Sequence, residues 1–480
     1  MRGRVVAGVG AAVVLVAGAG VAIGAGLDGA EPERPATSAS APAVLPPSAP
    51  AVLQPATSSP GNAPAPAGVT AAVRAALGDR ALGGSVGATV LAADGTVLLD
   101  RGGAAHTPAS VAKLLTGTAA LTALGPDTTL ATRVVSDSAA AAGATPGTPG
   151  ASTPAAGGTA DIVLVGGGDA TLQSGADDRG SDTTAYARLD VLAKRTAAAL
   201  GRGATVRVLV DDSAFAAPAV SPDWEPGYVP GGIAAPTSAL SVDQGRVRPG
   251  EDARVGDPAL EAGRRFAALL RAQDLTVRGA VARRAAQGAQ ELARVESPPV
   301  ARLVERMLEQ SDNDLAEALV RLVAAERGEP ATAAGGGAAV LAEAQELGIP
   351  VARARLLDGS GLARGSRVGS DTLAATLRTA ASPEHPELRP VLTGLPVAGL
   401  TGTLAERYAD SGPLDAARGV VRAKTGTLTG VSSLAGLVRD RDGGLLVFAF
   451  LADRVPGSTL DARQALDEAA AALAECGCRG

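Results

Sequence analysis

The segment His106-Thr-Pro-Ala-Ser-Val-Ala-Lys113 contains a serine and a lysine with a spacing suited to nucleophilic catalysis. Ser110 and Lys113 open an apolar run, and residues three apart on a helix share one face. A serine hydroxyl is a weak nucleophile near neutral pH, so it needs a base within hydrogen-bonding distance. A lysine provides that base only when its amine is partly neutral, as burial at a helix start would make it. The spacing therefore predicts a Ser110–Lys113 catalytic pair.

The composition of the chain supports a chemical task for its lysines. Only Lys113, Lys194 and Lys424 are lysine, although Lys and Arg together number 43 among 480 residues. Arginine cannot be deprotonated in a protein, whereas the pKa of a buried lysine shifts readily. Lysine at positions 113 and 424 is therefore expected to serve chemistry rather than surface charge.

Two further motifs follow Ser110 and Lys113 along the chain. Ser311-Asp-Asn313 contains one of only two asparagines in the protein, and Lys424 begins Lys-Thr-Gly-Thr427. Ser, Asp and Asn are favoured helix caps, and the Ser311–Asn313 motif alone would be interpreted as a cap. The order S-x-x-K, S-x-N, K-T-G instead favours a catalytic interpretation, because it matches the motif set of penicillin-recognising serine enzymes.

The elements around the first motif predict an antiparallel sheet covered by helices. Two alternating runs, Gly87–Leu91 and Thr96–Leu99, are joined through Asp94-Gly95, which is a strong hairpin signal. The nucleophile helix follows directly. The sequence therefore predicts an α+β fold in this region.

The elements around the other two motifs are expected to bring them to the same cleft. Predicted helices over 300–309 and 314–325 place the Ser311–Asn313 motif on the turn between them. Lys424 is expected at the end of a strand, with its amine pointing into a cleft beside the nucleophile helix. Predicted strands over 433–438 and 445–451 and a helix over 460–475 complete this part of the chain.

Nearly two hundred residues separate the first two motifs, which is too many for one loop. This interval is expected to fold as lobes of its own, with the Gly/Ala/Thr/Pro tract 139–154 as a flexible insertion. Gly166-Gly-Gly-Asp169 after a predicted strand indicates a tight turn rather than a phosphate cradle, because no Walker lysine is present. Asp211 and Asp212, at the end of another strand, are interpreted as solvated turn residues.

The amino terminus has the pattern of an export signal. A short basic stretch at residues 1–4 precedes an uncharged segment over 5–27, which reaches the length needed to span a bilayer. Residues 1–27 are therefore predicted to be either a cleaved signal peptide or an uncleaved membrane anchor. Residues 28–68, rich in Pro, Ala and Ser, are predicted to be a disordered linker.

Charge and rare residues exclude several classes of protein. A net charge of −6 gives no reason to expect a nucleic-acid partner. Two histidines and two cysteines in the whole chain make a Cys/His zinc site improbable. Cys476 and Cys478 are so close in sequence that a bridge between them would be strained, so a frayed tail is expected, with a redox role as the weaker alternative.

The part of the chain from about residue 70 to 455 resembles the low-molecular-mass class C penicillin-binding proteins, which are D-alanyl-D-alanine carboxypeptidase/endopeptidases of peptidase family S13. Besides the three motifs, the resemblance rests on the following segments: Gly166-Gly-Gly-Asp-Ala-Thr-Leu172, Thr237-Ser-Ala-Leu-Ser-Val-Asp243, Asp358-Gly-Ser-Gly-Leu362, Leu395-Pro-Val-Ala-Gly399 and Ala423-Lys-Thr-Gly-Thr-Leu428. The long interval between the first two motifs is also typical of this family and is much shorter in serine β-lactamases.

This resemblance implies a role for each motif residue. Ser110 would attack the carbonyl between two D-alanines, Lys113 would take its proton, and Ser311 would relay a proton to the leaving amine. Asn313 would bind the substrate amide. The groups that would hold the terminal carboxylate are Lys424, Thr425 and Thr427. The backbone N–H groups of Ser110 and Thr427 would form the oxyanion hole. No metal or organic cofactor is expected.

The resemblance also implies an architecture and a cellular context. It predicts a penicillin-binding-protein/serine β-lactamase-like transpeptidase domain, over 69–130 and 290–480, with inserted lobes over 131–289. The expected partners are peptidoglycan stem peptides and, as covalent inhibitors, β-lactams, outside the cytoplasm, with any membrane contact made only through the N-terminal segment. A wall-binding or scaffolding protein with an unimportant site and a β-lactamase remain as alternatives.

Overall fold

The computed structural model describes residues 64–136, 159–175, 184–286, 289–408, 412 and 414–478. The predicted export segment and the tract 139–154 lie outside the described residues. Within those ranges, no helix is both long enough and apolar enough to cross a bilayer.

Ten helices and eleven strands are named along the described ranges. The helices are α1 Pro66–Val73, α2 Lys113–Leu124, α3 Leu189–Leu200, α4 Pro258–Arg271, α5 Val300–Glu309, α6 Asn313–Glu326, α7 Ala333–Glu346, α8 Ser370–Ala381, α9 Arg389–Thr393 and α10 Thr459–Glu475. The strands are β1 Val86–Ala92, β2 Val97–Asp100, β3 Ala131–Ser136, β4 Thr159–Val165, β5 Thr205–Asp211, β6 Thr276–Val277, β7 Ala282–Arg283, β8 Gln290–Glu296, β9 Arg422–Leu428, β10 Val431–Arg439 and β11 Leu445–Ala452.

The motif-bearing part of the chain forms a five-stranded antiparallel sheet in the order β2-β1-β11-β10-β9. Strand β11 lies at its centre and is apolar throughout, because both faces of the sheet are covered. Val447, Ala449 and Leu451 pack towards α2 and α5–α8. Phe448 and Phe450 pack on the other face against α1 and α10. The predicted α+β fold, with an antiparallel sheet and covering helices, is confirmed.

A second sheet is formed by strands between the first two motifs, in the order β6-β5-β4-β3-β8, with β7 also paired to β5. Its β4–β5, β5–β6 and β5–β7 pairs are parallel, which the sequence did not predict. Helices α3 and α4 contribute Leu192 and Phe266 to the core beneath it. Strand β8 returns antiparallel beside β3, so this sheet extends past residue 289, the predicted end of the inserted lobes.

The two ends of the described chain meet at the back of the first sheet. Helix α1 begins at Pro66, inside the stretch predicted as linker, since proline suits the first turn of a helix. The Ala65 amide donates to the Cys478 carbonyl, and Cys478 is bonded to Cys476 by a disulfide. The predicted frayed tail is wrong, because Cys478 is buried in the core shared by α1 and α10.

Candidate active site

Ser110 lies in a single 3₁₀ turn, Ala109–Ala112, that leads into α2. Ala109 has φ of +49°, a conformation that costs a residue with a side chain about 1 kcal/mol or more. Gly361, with φ of +80°, packs against the Ala109 carbonyl, where an added Cβ would clash. The sharp turn leaves the Ser110 side chain partly exposed at the start of an otherwise buried helix.

Lys113, the first residue of α2, is completely buried. Its Nζ donates to Ser110 Oγ at 3.1 Å, to Asn313 Oδ1 at 2.8 Å and to the Ser360 carbonyl at 2.8 Å. Burial lowers its pKa from 10.5 to about 8, and the nearby carboxylates, Asp358 foremost, oppose that shift. A measurable fraction of the Lys113 amine is therefore neutral near pH 7, beside the nucleophile.

The Ser360 carbonyl is held against Lys113 by a network of buried carboxylates. Glu317 on α6 accepts from the amides of Gly359 and Ser360 at 3.0 and 2.9 Å. Its second oxygen binds Arg321 at 2.9 Å, and both of these side chains are fully buried. Since a buried ion pair fixes geometry when it is fully bonded, Glu317 positions the turn that contacts Lys113.

Asp358 connects this turn to the inserted part of the chain. Its carboxylate accepts from the amides of Gly361 and Ala363 and from Trp224 Nε1, the last at 2.8 Å. Burial, followed by the negative charge of Glu317, raises the pKa of Asp358 to about 6. The carboxylate therefore stays mostly ionised at neutral pH and lies close enough to Lys113 to influence its charge.

The second motif joins α5 to α6: Ser311 lies on the turn, as the sequence predicted, whereas Asn313 is already the first residue of α6. Ser311 has φ of +56°, and Asp312 caps α6 by accepting from the Leu315 amide at 3.0 Å. Asn313 uses Oδ1 for Lys113, and its Nδ2 donates to the Ile233 carbonyl at 2.9 Å. An amide nitrogen carries two hydrogens, so one N–H remains for a ligand.

Lys424 lies inside β9 rather than at the end of a strand, which corrects the sequence prediction. The edge strand begins two residues earlier, because Arg422 and Ala423 already pair with β10. Lys424 is fully buried, and its Nζ donates to Ser311 Oγ at 2.9 Å and to the Thr425 carbonyl at 2.8 Å. Burial, then the charge of Lys113, holds the pKa of Lys424 well below its usual range.

The threonines of the third motif lie on the same edge strand. Thr425 is buried, and its hydroxyl is hydrogen-bonded to that of Thr403 at 2.9 Å. Thr427 is exposed. The Ala423 amide points away from the sheet and donates to the Pro396 carbonyl, so the amides of Thr425 and Thr427 face the same free edge by alternation.

Gly426 allows β9 to approach the nucleophile turn closely. A Cβ at this position would lie 2.8 Å from the Pro108 carbonyl oxygen and 3.1 Å from the Ser110 nitrogen, and it would overlap the Ser433 hydroxyl. Ser433 Oγ in turn donates to the Pro108 carbonyl at 2.7 Å. The strand and the turn are thus in contact through a residue that has no side chain.

The structure gathers five of the seven predicted side chains into two hydrogen-bonded groups, and Thr425 joins the second group through its backbone. Lys113 joins Ser110 to Asn313, and Lys424 joins Ser311 to the backbone of Thr425. Thr427 stands at the rim of this arrangement with an exposed side chain. The sequence analysis missed the residues that hold these groups in place: Glu317, Asp358, Ser360, Trp224 and Thr403. A signal existed for Glu317, since a Glu and an Arg four residues apart interrupt an otherwise apolar helix face.

Comparison with known proteins gives a family for this arrangement. The sequence model of the D-Ala-D-Ala carboxypeptidase 3 (S13) family matches residues 69–253 and 249–474. The chain belongs to this family. It is therefore a serine-type D-Ala-D-Ala carboxypeptidase, a hydrolase, as the sequence predicted.

Relatives and a solved structure agree with membership of the S13 family. Carboxypeptidase DacB of Mycolicibacterium smegmatis is 38% identical over 438 residues, covering 88% of this chain and 89% of the relative. The D-alanyl-D-alanine carboxypeptidase of Actinomadura sp. is 31% identical over 454 residues, covering 78% and 79%. The fold is similar to penicillin binding protein 4 from Haemophilus influenzae, with a TM-score of 0.65, 22% identity and coverage of 83% and 98%.

Proposed function

We propose that this S13 carboxypeptidase hydrolyses the terminal D-Ala-D-Ala bond of peptidoglycan stem peptides, and the D-Ala cross-link between two stems, through an ester on Ser110. The reaction takes place outside the cytoplasm, which accords with the export pattern of the N-terminal sequence. β-Lactams are covalent inhibitors because they present a strained amide to the same serine.

Acylation begins with attack by Ser110 Oγ on the carbonyl carbon of the scissile amide. The proton of Ser110 passes to the neutral amine of Lys113, 3.1 Å away. The charge that develops on the carbonyl oxygen is stabilised by the backbone N–H groups of Ser110 and Thr427. Each such donor contributes about 3 to 4 kcal/mol to transition-state stabilisation in comparable enzymes.

Cleavage of the C–N bond requires a proton on the leaving amine. Ser311 donates that proton and recovers one from Lys424, whose Nζ lies 2.9 Å from its hydroxyl. Lys424, Thr425 and Thr427 hold the carboxylate next to the leaving nitrogen, and Asn313 binds an amide of the substrate with its remaining N–H. Water then attacks the Ser110 ester and gives a proton back to Lys424 through Ser311. The Lys113 ammonium returns its proton to Ser110 Oγ as the shortened peptide leaves, which restores both lysines.

The observation that carries this proposal is the completely buried Lys113 amine, bonded to Ser110, with a pKa of about 8. A lysine kept for structure alone would need a permanent counter-ion, whereas Lys113 Nζ contacts only a hydroxyl, an amide oxygen and a carbonyl oxygen.

The test combines covalent labelling with product analysis. Fluorescent penicillin should label the wild-type protein stably, and Ser110→Ala should abolish both labelling and peptide hydrolysis while the circular dichroism spectrum is unchanged. Incubation with a disaccharide pentapeptide and a cross-linked dimer, read by mass, should show loss of D-alanine and cleavage of the dimer. An absence of label would indicate a binding or scaffolding protein, and release of the label within minutes would indicate a β-lactamase.

A further inference from the structure

A cavity of about 1080 Å³ opens beside Ser311 and Asn313, and neither Ser110 nor Lys113 lines it. Its walls are α5, the segment 393–401, the start of β9 and residues 232–254 of the inserted part of the chain. None of the roles proposed for the motif residues requires a space of this size. A single D-alanine leaving group would fill only a small part of it.

The position of the cavity places it on the leaving-group side of the reaction. Under the proposed function, the acyl half of the substrate stays on Ser110 and the leaving amine takes its proton from Ser311. Ser311 lines this cavity, whereas Ser110 and Lys113 do not. Whatever remains attached to the leaving nitrogen therefore extends into the cavity.

Arg422 supplies a positive charge in this cavity that has no counter-ion in the described part of the chain. It lies two residues before Lys424 on β9, so its side chain is on the same face of the strand, about 7 Å further along. Its side chain is exposed and has no ion pair or hydrogen bond to any residue that the structure describes. By contrast, Arg254 in the same wall is paired with Asp314 at 3.1 Å and is almost completely buried.

Glu309, on α5, brings an unpaired negative charge to a different wall of the cavity. Its carboxylate likewise has no partner among the described residues. A ligand that satisfies both groups must carry a carboxylate and N–H donors within one molecule. A peptide with acidic groups has this chemistry, and the cavity is large enough to hold several of its residues.

We propose that this cavity is a subsite for the leaving stem peptide of a cross-linked substrate, with Arg422 binding a carboxylate of that peptide. The inference rests on the proposed function, because it uses Ser311 as the donor to the leaving amine. It makes Arg422 a determinant of cross-link cleavage. The release of a single D-alanine does not use Arg422, since that leaving group ends at the carboxylate held by Lys424, Thr425 and Thr427.

The test compares Arg422→Gln with wild type on a pentapeptide monomer and a cross-linked dimer, with penicillin acylation as a third reading. Arg422→Gln should lower kcat/KM for the dimer about tenfold, the size expected for loss of one charge-assisted hydrogen bond at a partly exposed site. Values for the monomer and for penicillin should stay within about twofold. The matched control is Arg439→Gln, an exposed arginine on β10 outside the cavity, which should change none of the three.

A second dimer makes the assignment specific: its leaving peptide keeps the carboxylate beside the leaving nitrogen but carries amides in place of its other carboxylates. The wild type should cleave this dimer about tenfold less efficiently, whereas Arg422→Gln should not discriminate between the two dimers. Equal losses of Arg422→Gln on monomer and dimer would overturn the inference, as would a wild type that releases D-alanine but does not cleave dimers. Failure of the wild type on every substrate, including penicillin, would instead overturn the proposed function.

Discussion

Lys113 combines complete burial with contacts to three oxygen atoms, none of which belongs to a carboxylate. Desolvation therefore has the largest effect on the pKa of Lys113. Four nearby carboxylates raise this pKa only through space, without a direct contact: Asp358, Asp312, Glu317 and Asp314. The amine is held in place by Ser360 and Asn313 while its proton remains available for exchange with Ser110. This balance makes the pH dependence of acylation the most direct report on the site.

Acylation by a chromogenic β-lactam should rise about tenfold per pH unit below pH 8 and level off above it, because only the neutral Lys113 amine accepts a proton. Asp358→Asn removes the charge that most strongly favours the Lys113 ammonium, so it should lower the pKa of Lys113 and move the midpoint to lower pH. Asp440→Asn, which removes a buried carboxylate from the β10–β11 turn, is the control and should leave the midpoint unchanged. A midpoint in Asp358→Asn at or above the wild-type value would contradict this account.

Arginine substitutions separate the tasks of the two buried lysines. Lys113→Arg should reduce acylation by about 10²- to 10⁴-fold, the contribution of a general base, because a guanidinium cannot accept the proton. Lys424→Arg should lose less, since it keeps a donor for Ser311 and a positive charge for the substrate carboxylate. Part of the loss in acylation rate of Lys424→Arg should come from slower proton transfer, because the pKa of Lys424 is well below its usual range. Another part should come from crowding, because Lys424 is fully buried and a guanidinium is larger. Equal losses in acylation rate would show that the roles are assigned wrongly.

At the scale of elements, the site depends on an edge strand lying directly against the turn that carries the nucleophile. Gly426→Ala should slow acylation by about a hundredfold, because the added Cβ would displace the Ser110 turn by up to about 1 Å. Gly84→Ala, where nothing lies within 4 Å of the added carbon, is the control. Thermal unfolding should show both variants folded, and normal acylation by Gly426→Ala would refute the close-contact argument.

The sequence predicted the elements whose pattern is local. The β1–β2 hairpin, helices α5 and α6 and the final β10–β11–α10 unit all lie within a few residues of their predicted bounds. Helix α7 was not predicted, because three consecutive glycines over 335–337 disfavour a helix. Gly336 and Gly337 are needed there, since the backbones of Val320 and Leu356 lie where side chains would be.

The site was predictable to the extent that each of its motifs is a short run of neighbouring residues. The groups that hold it in place were not, because they come together only through the fold. Asp358 was identified only within a segment shared with the family, but its carboxylate is held by Trp224, which lies 134 residues earlier in the chain. The position of Lys424 within β9 depends on pairing with β10, which no local pattern around residue 424 shows.

At the scale of the whole molecule, the two ends of the described chain pack against each other. Helix α1, the Cys476–Cys478 segment and α10 share one core with the back of the first sheet. Gly68 packs so closely on Cys478 that an added Cβ would lie 2.9 Å from its backbone. The last residues therefore support both the N-terminal helix and the sheet behind the active site.

Deletion of residues 476–480 should lower the free energy of unfolding by about 1 to 3 kcal/mol, from the loss of the buried Cys478 side chain and of the partner of Ala65. The midpoint of thermal unfolding should fall by a few degrees. Acylation at 25 °C should be nearly unchanged, since residues 476–478, the described part of this segment, pack on the far face of the sheet from Lys113. An unaltered midpoint would indicate that the C-terminal contacts do not contribute to stability.

The outward N–H groups of Thr425 and Thr427 give the free edge of β9 two donors for the carbonyl oxygens of a bound peptide, one of them the carbonyl under attack. A substrate bound along that edge is recognised by the spacing and handedness of its backbone, so these contacts do not restrict its side chains. No alanine scan of the enzyme can remove such contacts, because they belong to no side chain. Analogues in which a methylene group replaces one peptide carbonyl at a time would reveal them from the ligand's side as stepwise losses of affinity.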